Sequence, residues 1–170
     1  MANLYEFERQ ILDLPLDGAL MNECLGAFTM LLSSHLQGFC RELYSEFTGH
    51  FVRHAPANLR DALEIQCTTK IDLNQGNPTF SAITNDFRRF GISISDELKN
   101  VAGNGNIGMH IERMQKWRNY YAHNNPEKPV KAGPFNRTEI MKWMASCNDL
   151  AEALDSILSN HLKTLGIAGW

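Results

Sequence analysis

The apolar positions of this chain recur almost everywhere at intervals of three and four. In the longest run, Leu20, Cys24, Ala27, Leu31, Leu32, His35, Phe39, Leu43 and Phe47 keep these spacings. They predict one helix over about 18–50 with these residues on a single broad face. Gly26 and Gly38 fall inside it. Each lowers helix propensity by up to about 1 kcal/mol relative to Ala, so they either permit close helix contacts or mark a break. A short amphipathic piece over 3–13, bearing Leu4, Phe7, Ile11 and Leu12, precedes Pro15. After Pro56 a helix over about 57–70 is predicted, with Leu59, Leu63 and Ile65 or Gln66 inward. Asp72 to Pro78 reads as a turn, and a helix over about 79–90 carries Phe80, Ile83 and Phe87 up to a stop at Gly91. Ile92 to Ile94 alternates too briefly to establish a sheet, and Gly103 to Asn106 reads as a second loop.

The last two helices are the clearest. Ile107, Ile111, Met114, Trp117 and Tyr121 make one stripe over 107–123. Asn136 followed by Glu139 is a capping-box signal, and a helix from 137 to about 165 follows, with Gly166 as its stop. Between them Pro126, Pro129, Gly133 and Pro134 forbid helix, because proline removes a donor and clashes with the preceding turn. No internal repeat is visible. The expected architecture is one domain over 1–170: an all-α, up-and-down antiparallel helical bundle, with additional short helices around 72–106.

Composition narrows the class without changing this picture. A chain of 170 residues, 44% hydrophobic and 21% charged, has enough apolar material for one core. No apolar run approaches the roughly 20 residues of a membrane-spanning helix. The beginning of the chain lacks a basic segment followed by an apolar stretch, so a secretory leader is not expected and a cytoplasmic location is. Cys24, Cys40, Cys67 and Cys147 are scattered and form no CxxC pair, which predicts reduced, mostly buried thiols. His50, Arg53 and His54 lack the carboxylate–histidine spacing of a metal site, so no metal or other cofactor is expected. With a formal charge of −3, a nucleic-acid site has to be a local basic patch.

The stretch that carries chemistry is Met114-Gln115-Lys116-Trp117-Arg118-Asn119-Tyr120-Tyr121-Ala122-His123-Asn124. Arg118 and His123 are five steps apart, about 7.5 Å along a helix and about 140° around it. At a frayed helix end both can address one phosphate. A neutral imidazole takes the proton from a ribose 2′-hydroxyl, and an imidazolium returns one to the departing 5′-oxygen. One histidine does not do both in a single passage, which calls for a second copy. Arg118 supplies a planar cationic fork for the non-bridging oxygens. Arg113, Lys116, Lys128 and Lys131 surround the motif and could extend an RNA surface, as could Arg88-Arg89. Such clusters also occur as plain solvated faces. The structural alternative pairs Arg118 with a carboxylate and uses His123 as a helix cap. His35 is expected to be a helix-packing histidine, though the first long helix could bring it near the cleft.

Arg118-Asn119-Tyr120-Tyr121-Ala122-His123 resembles the R-x4-H signature of HEPN ribonucleases. His35 to Tyr44 is similar to the first long helix of the RiboL-PSP-HEPN group. That resemblance implies a homodimer, or a pseudo-symmetric pair, in which two copies of Arg118 and His123 line one cleft. It also implies metal-independent cleavage of RNA to a 2′,3′-cyclic phosphate and a 5′-hydroxyl. Asn119 would orient the histidine or hold a phosphate, and Tyr120 or Tyr121 would stack on a base while the other joins the core. Toxin or antiviral defence work, with an antitoxin or defence-system protein as partner, fits the same resemblance. The alternatives are a noncatalytic HEPN-like dimeric module that binds RNA or protein, and a structural bundle adaptor.

Overall fold

A computed structural model describes residues 6, 10, 15, 17–100, 106–123, 127 and 129–167. Among them are six α-helices: α1 Gly18–His54, α2 Arg60–Thr68, α3 Phe80–Phe87, α4 Ile94–Asn100, α5 Ile107–Ala122 and α6 Arg137–Thr164. Short 3-10 turns lie at Ala57–Leu59, Asp72–Asn74, Arg88–Phe90 and Val130–Ala132. No strand is present among the described residues. The apolar segment expected over 3–13 lies outside them apart from Glu6 and Gln10. So do Gly103 to Gly105, Asn124 to Pro126 and Lys128.

The chain belongs to the all-α class, and α1, α5 and α6 form its centre. Gly26 of α1 meets Tyr121 of α5, and Ser33 meets Gln115, so those two helices run antiparallel. His110 meets Ser146 and Arg113 meets Glu139, so α5 and α6 are antiparallel as well. The helices α3 and α4 lean on this trio. Leu32, Leu36, Phe47, Phe87, Ile111, Met114, Trp143, Met144 and Leu158 are fully buried in the shared core.

The capping chemistry explains most boundaries. Asp17 accepts the Leu20 N–H at 2.8 Å to open α1, and Asn136 accepts the Glu139 N–H at 3.0 Å to open α6. The Glu139 carboxylate turns to Lys142 and Arg113, so only one arm of the predicted capping box is the expected one. Gly91 and Gly166 close their helices at φ 77° and 74°.

Two expectations need correction. The buried face of α1 is Leu25, Phe28, Leu32, Leu36, Cys40, Leu43, Tyr44 and Phe47. Leu20, Ala27, Leu31 and His35 point outward, because apolar residues occur all around this helix and its N-terminal half offers two rival stripes. On α2 only Cys67 is buried and Leu63 half-buried; Leu59 and Ile65 are 47% and 65% exposed, since this short helix touches the body along one edge. As expected, no sheet forms at Ile92 to Ile94; the residues after Ile92 start the short helix α4, where Ser93 Oγ donates to Asp96 Oδ2 at 2.6 Å. Cys40, Cys67 and Cys147 are buried free thiols as expected, and Cys24 is partly so. Burial pushes the Cys40 thiol up to about 12.

The connection from α2 to α3 is irregular yet tied at almost every residue. Arg89 donates to the carbonyls of Gln66, Thr69 and Lys70. The buried Asp86 carboxylate accepts the N–H groups of Asp72 at 3.0 Å and Leu73 at 2.8 Å, and stands 3.7 Å from Arg89. From α1, Arg41 Nε donates to Leu73 O at 2.7 Å and Gln37 donates to Gly76 O. This segment lies between α1 and α5, and it delivers Asn77 and Pro78 to α5.

Between α5 and α6, His110 Nδ1 and Ser146 Oγ are hydrogen-bonded at 2.7 Å. Burial holds the imidazole below its ordinary value; Glu139 opposes this, while Arg113 and Lys142 add to it. The unfolded chain therefore takes up this proton at higher pH than the folded one. The His110 contribution to stability is complete above about pH 6.5 and is lost as pH falls through the folded value. Urea unfolding from about pH 7.5 to about pH 5 should show wild type weakening more steeply than His110→Gln. Equal slopes would refute this linkage.

Candidate active site

The motif residues sit at the C-terminal end of α5, and packing decides which way each points. Trp117 is buried and stacks on Phe135, centroids 4.5 Å apart, with Tyr121 and Trp143 beside it. That aromatic wall anchors one side of the helix. On the α1 side, Gln115 exchanges hydrogen bonds with Ser33 at 3.1 and 3.2 Å, and about a turn and a half further along α5 Tyr121 covers Gly26. Arg118 lies between these two contacts, half-buried at the edge of the α1–α5 junction. Its Nη1 donates to Asn119 Oδ1 at 3.3 Å. Among the described residues no carboxylate pairs with Arg118, so the salt-bridge alternative finds no partner there.

His123 follows as the cap of α5. Its backbone N–H reaches Asn119 O at 3.1 Å, and its ring is exposed. Asn119, four residues earlier, is about 40° from His123 around the helix, and Lys116, seven earlier, about 20°. Asn119 and Lys116 are also exposed, so the three share one solvent stripe. Arg118 stands about 100° round from Asn119, toward α1. The stripe also carries the partial negative charge of the last carbonyls of α5, which favours cationic side chains there and opposes a bare phosphate.

The other expected RNA contacts scatter. Arg113 is 3.9 Å from the Glu139 carboxylate and lies under Gly133, about 15 Å along α5 from His123. Lys131 is exposed on the Val130–Ala132 turn. Lys128 is outside the described residues. Tyr120 and Tyr121 are both half-buried and meet edge to face at 5.1 Å. Burial pushes the Tyr121 hydroxyl up to about 12, with Glu23 and Tyr120 adding to the shift. Arg89 is engaged by the α2–α3 connection and His35 faces about 160° away from Ser33 on α1. Among the described residues no group of three metal-ligating side chains occurs. Grooves of about 640 and 650 Å³ open beside α4–α6 and α1–α2, and neither is lined by α5.

One residue was not anticipated. Asn77 Nδ2 donates to Asn119 Oδ1 from a loop 42 positions away. No sequence pattern signals this contact; the buried polar Gln115 bonds Ser33 and the Pro78 carbonyl, and so only brings the neighbouring residue to α5.

This all-helical bundle, with its polar motif at the end of α5, is of the HEPN class. A family model described as RiboL-PSP-HEPN matches residues 2–160, and the chain belongs to that family. No curated protein and no solved structure matches it. Among the described residues no helix is long and apolar enough to cross a membrane.

The position of the motif depends on Gly26. A Cβ there would lie 2.5–2.8 Å from ring atoms of Tyr121. Gly26→Ala should cost about 1–3 kcal/mol by overpacking, against the gain in helix propensity. Chemical denaturation checks this, and combining it with Tyr121→Leu should recover part of the loss. A Gly26→Ala variant more stable than wild type would disprove the contact.

Proposed function

We propose that this chain is a metal-independent endoribonuclease that works as a cytoplasmic homodimer, in a toxin or antiviral defence role. The observation that carries the reading is Arg118: a half-buried guanidinium tethered by one donor to Asn119, with no carboxylate partner among the described residues. Its remaining donors suit the non-bridging oxygens of a phosphodiester, whose charge grows in the transition state. His123, exposed at the same helix end, removes the 2′-hydroxyl proton. The O2′–P bond forms and the P–O5′ bond breaks, leaving a 2′,3′-cyclic phosphate. The departing oxygen takes a proton from the second His123, supplied by the other subunit. Lys116 on the same stripe neutralises an adjacent phosphate, and Tyr120 offers an edge for a base. An antitoxin or another defence-system protein would control such a site.

Purified protein is incubated with cellular RNA in chelator and the ends are analysed. Wild type should leave cyclic phosphate and 5′-hydroxyl ends. Arg118→Ala and His123→Ala should each lower the rate by about 10²–10⁴-fold, and Arg118→Lys should recover little. Equal cleavage by wild type and His123→Ala would sink the catalytic assignment. Dimerisation with salt-sensitive RNA binding and no turnover in wild type would support the noncatalytic module instead.

A further inference from the structure

Asn119 Oδ1 receives two donors, Asn77 Nδ2 from the α2–α3 connection and Arg118 Nη1 from its own helix. An amide oxygen has two lone pairs, so this arrangement fills them. It also decides which end of the amide faces outward. With Oδ1 engaged by both donors, Nδ2 is the end of the amide left for solvent, on a residue of the exposed stripe shared with His123 and Lys116. A carboxamide nitrogen so placed donates to an oxygen and accepts nothing.

We propose that Asn77 is a positioning residue: it fixes the amide of Asn119 so that its nitrogen forms a donor subsite for an RNA phosphate oxygen beside His123. The inference rests on the nuclease reading for the identity of the anion, while its geometry is independent of cleavage. The placement of Asn77 is built into the fold. Its carbonyl accepts the Thr79 N–H at 2.8 Å, and the next residue, Pro78, is buried with its carbonyl 3.4 Å from Gln115 Nε2. Upstream, Gln37 holds Gly76 and Arg41 holds Leu73. Downstream, Glu112 of α5 accepts the Phe80 N–H at 3.2 Å. A half-buried side chain on so restrained a backbone loses little freedom in making its bond.

This assigns Asn119 the role of a donor to phosphate. It also gives the Asn77 contact a second effect, because the shared oxygen holds Arg118 Nη1 and leaves the rest of the guanidinium fork for substrate. Replacing Asn77 by alanine frees the Asn119 amide to rotate. Replacing it by aspartate does more: a carboxylate there attracts the Asn119 N–H groups inward, reverses the amide and competes for Arg118.

The test uses the full chain with a 2′-O-methylated oligoribonucleotide, which lacks the attacking hydroxyl and is not cut. Affinity is measured by titration, and the Asn119 side-chain amide is followed by nitrogen-15 NMR. Wild type should bind with a shifted Asn119 resonance. Asn77→Ala should weaken binding about 3–10-fold and Asn77→Asp more than about 10-fold, with melting temperatures close to wild type. With cleavable RNA, kcat/KM should fall in the same order, and Asn77→Gln, which keeps an amide donor, should lie nearest wild type. Equal affinity across the series, losses that track melting temperature, no probe binding by wild type, or an unmoved Asn119 resonance would each overturn the proposal. Probe binding that depends on Asn77 without any RNA cleavage would leave it standing and remove the nuclease reading. Cleavage that needs Arg118 and His123 but is indifferent to Asn77 would do the reverse.

Discussion

The backbone of the α2–α3 connection has to lie against two helices without secondary structure to satisfy most of its donors and acceptors. Buried peptide groups left unpaired cost about as much as lost hydrogen bonds. Asp86 and Arg89 meet that requirement from one side and Arg41 and Gln37 from the other. Because these side chains hold the strap at several points, Asn77 and Pro78 arrive at α5 in one place. The local geometry around Asn119 follows from that placement, and so does the start of α3, where Thr79 caps its helix and Glu112 holds the Phe80 N–H.

The motif also depends on how near α1 and α5 come. Gly26 removes the one Cβ that would push Tyr121 away, and the Ser33–Gln115 pair fixes the register a turn and a half earlier. Arg118 is held between these contacts with its charge at the rim. The end of a helix is an unfavourable place for an anion unless cations are supplied locally. Arg118 and Lys116 supply them in a chain whose formal charge is −3. Local placement therefore outweighs the overall charge.

Much of this was legible from residue order. Helical periodicity located α1, α3, α5 and α6 to within a few residues, and Asn136, Gly91 and Gly166 marked ends that the fold uses. Periodicity failed where its physical basis is weak. In α1 the helix is 37 residues long and partly apolar on every side, so Leu20, Ala27 and Leu31 looked as eligible as Leu25, Phe28 and Leu32. In α2 a nine-residue helix buries a single edge. The seven residues of α4 are too few to display a period, although Ser93 with Asp96 is itself a capping pattern. The proposed pair Arg118 and His123 could be picked out because the two are close in sequence. Asn77 could not, because its pairing with Asn119 depends on a tertiary approach that no local pattern encodes.

The polar residues here divide into those whose bonding capacity is consumed among the described residues and those that keep capacity to spare there. Asp86 and Arg89 are of the first kind, Arg118 and His123 of the second. Both kinds would resist substitution over evolutionary time, the first because the scaffold fails without them and the second, on the proposed nuclease reading, because the reaction would. A survey of invariant positions alone would therefore merge architecture with chemistry. What separates them is whether the hydrogen-bonding inventory of a side chain is already closed within the fold.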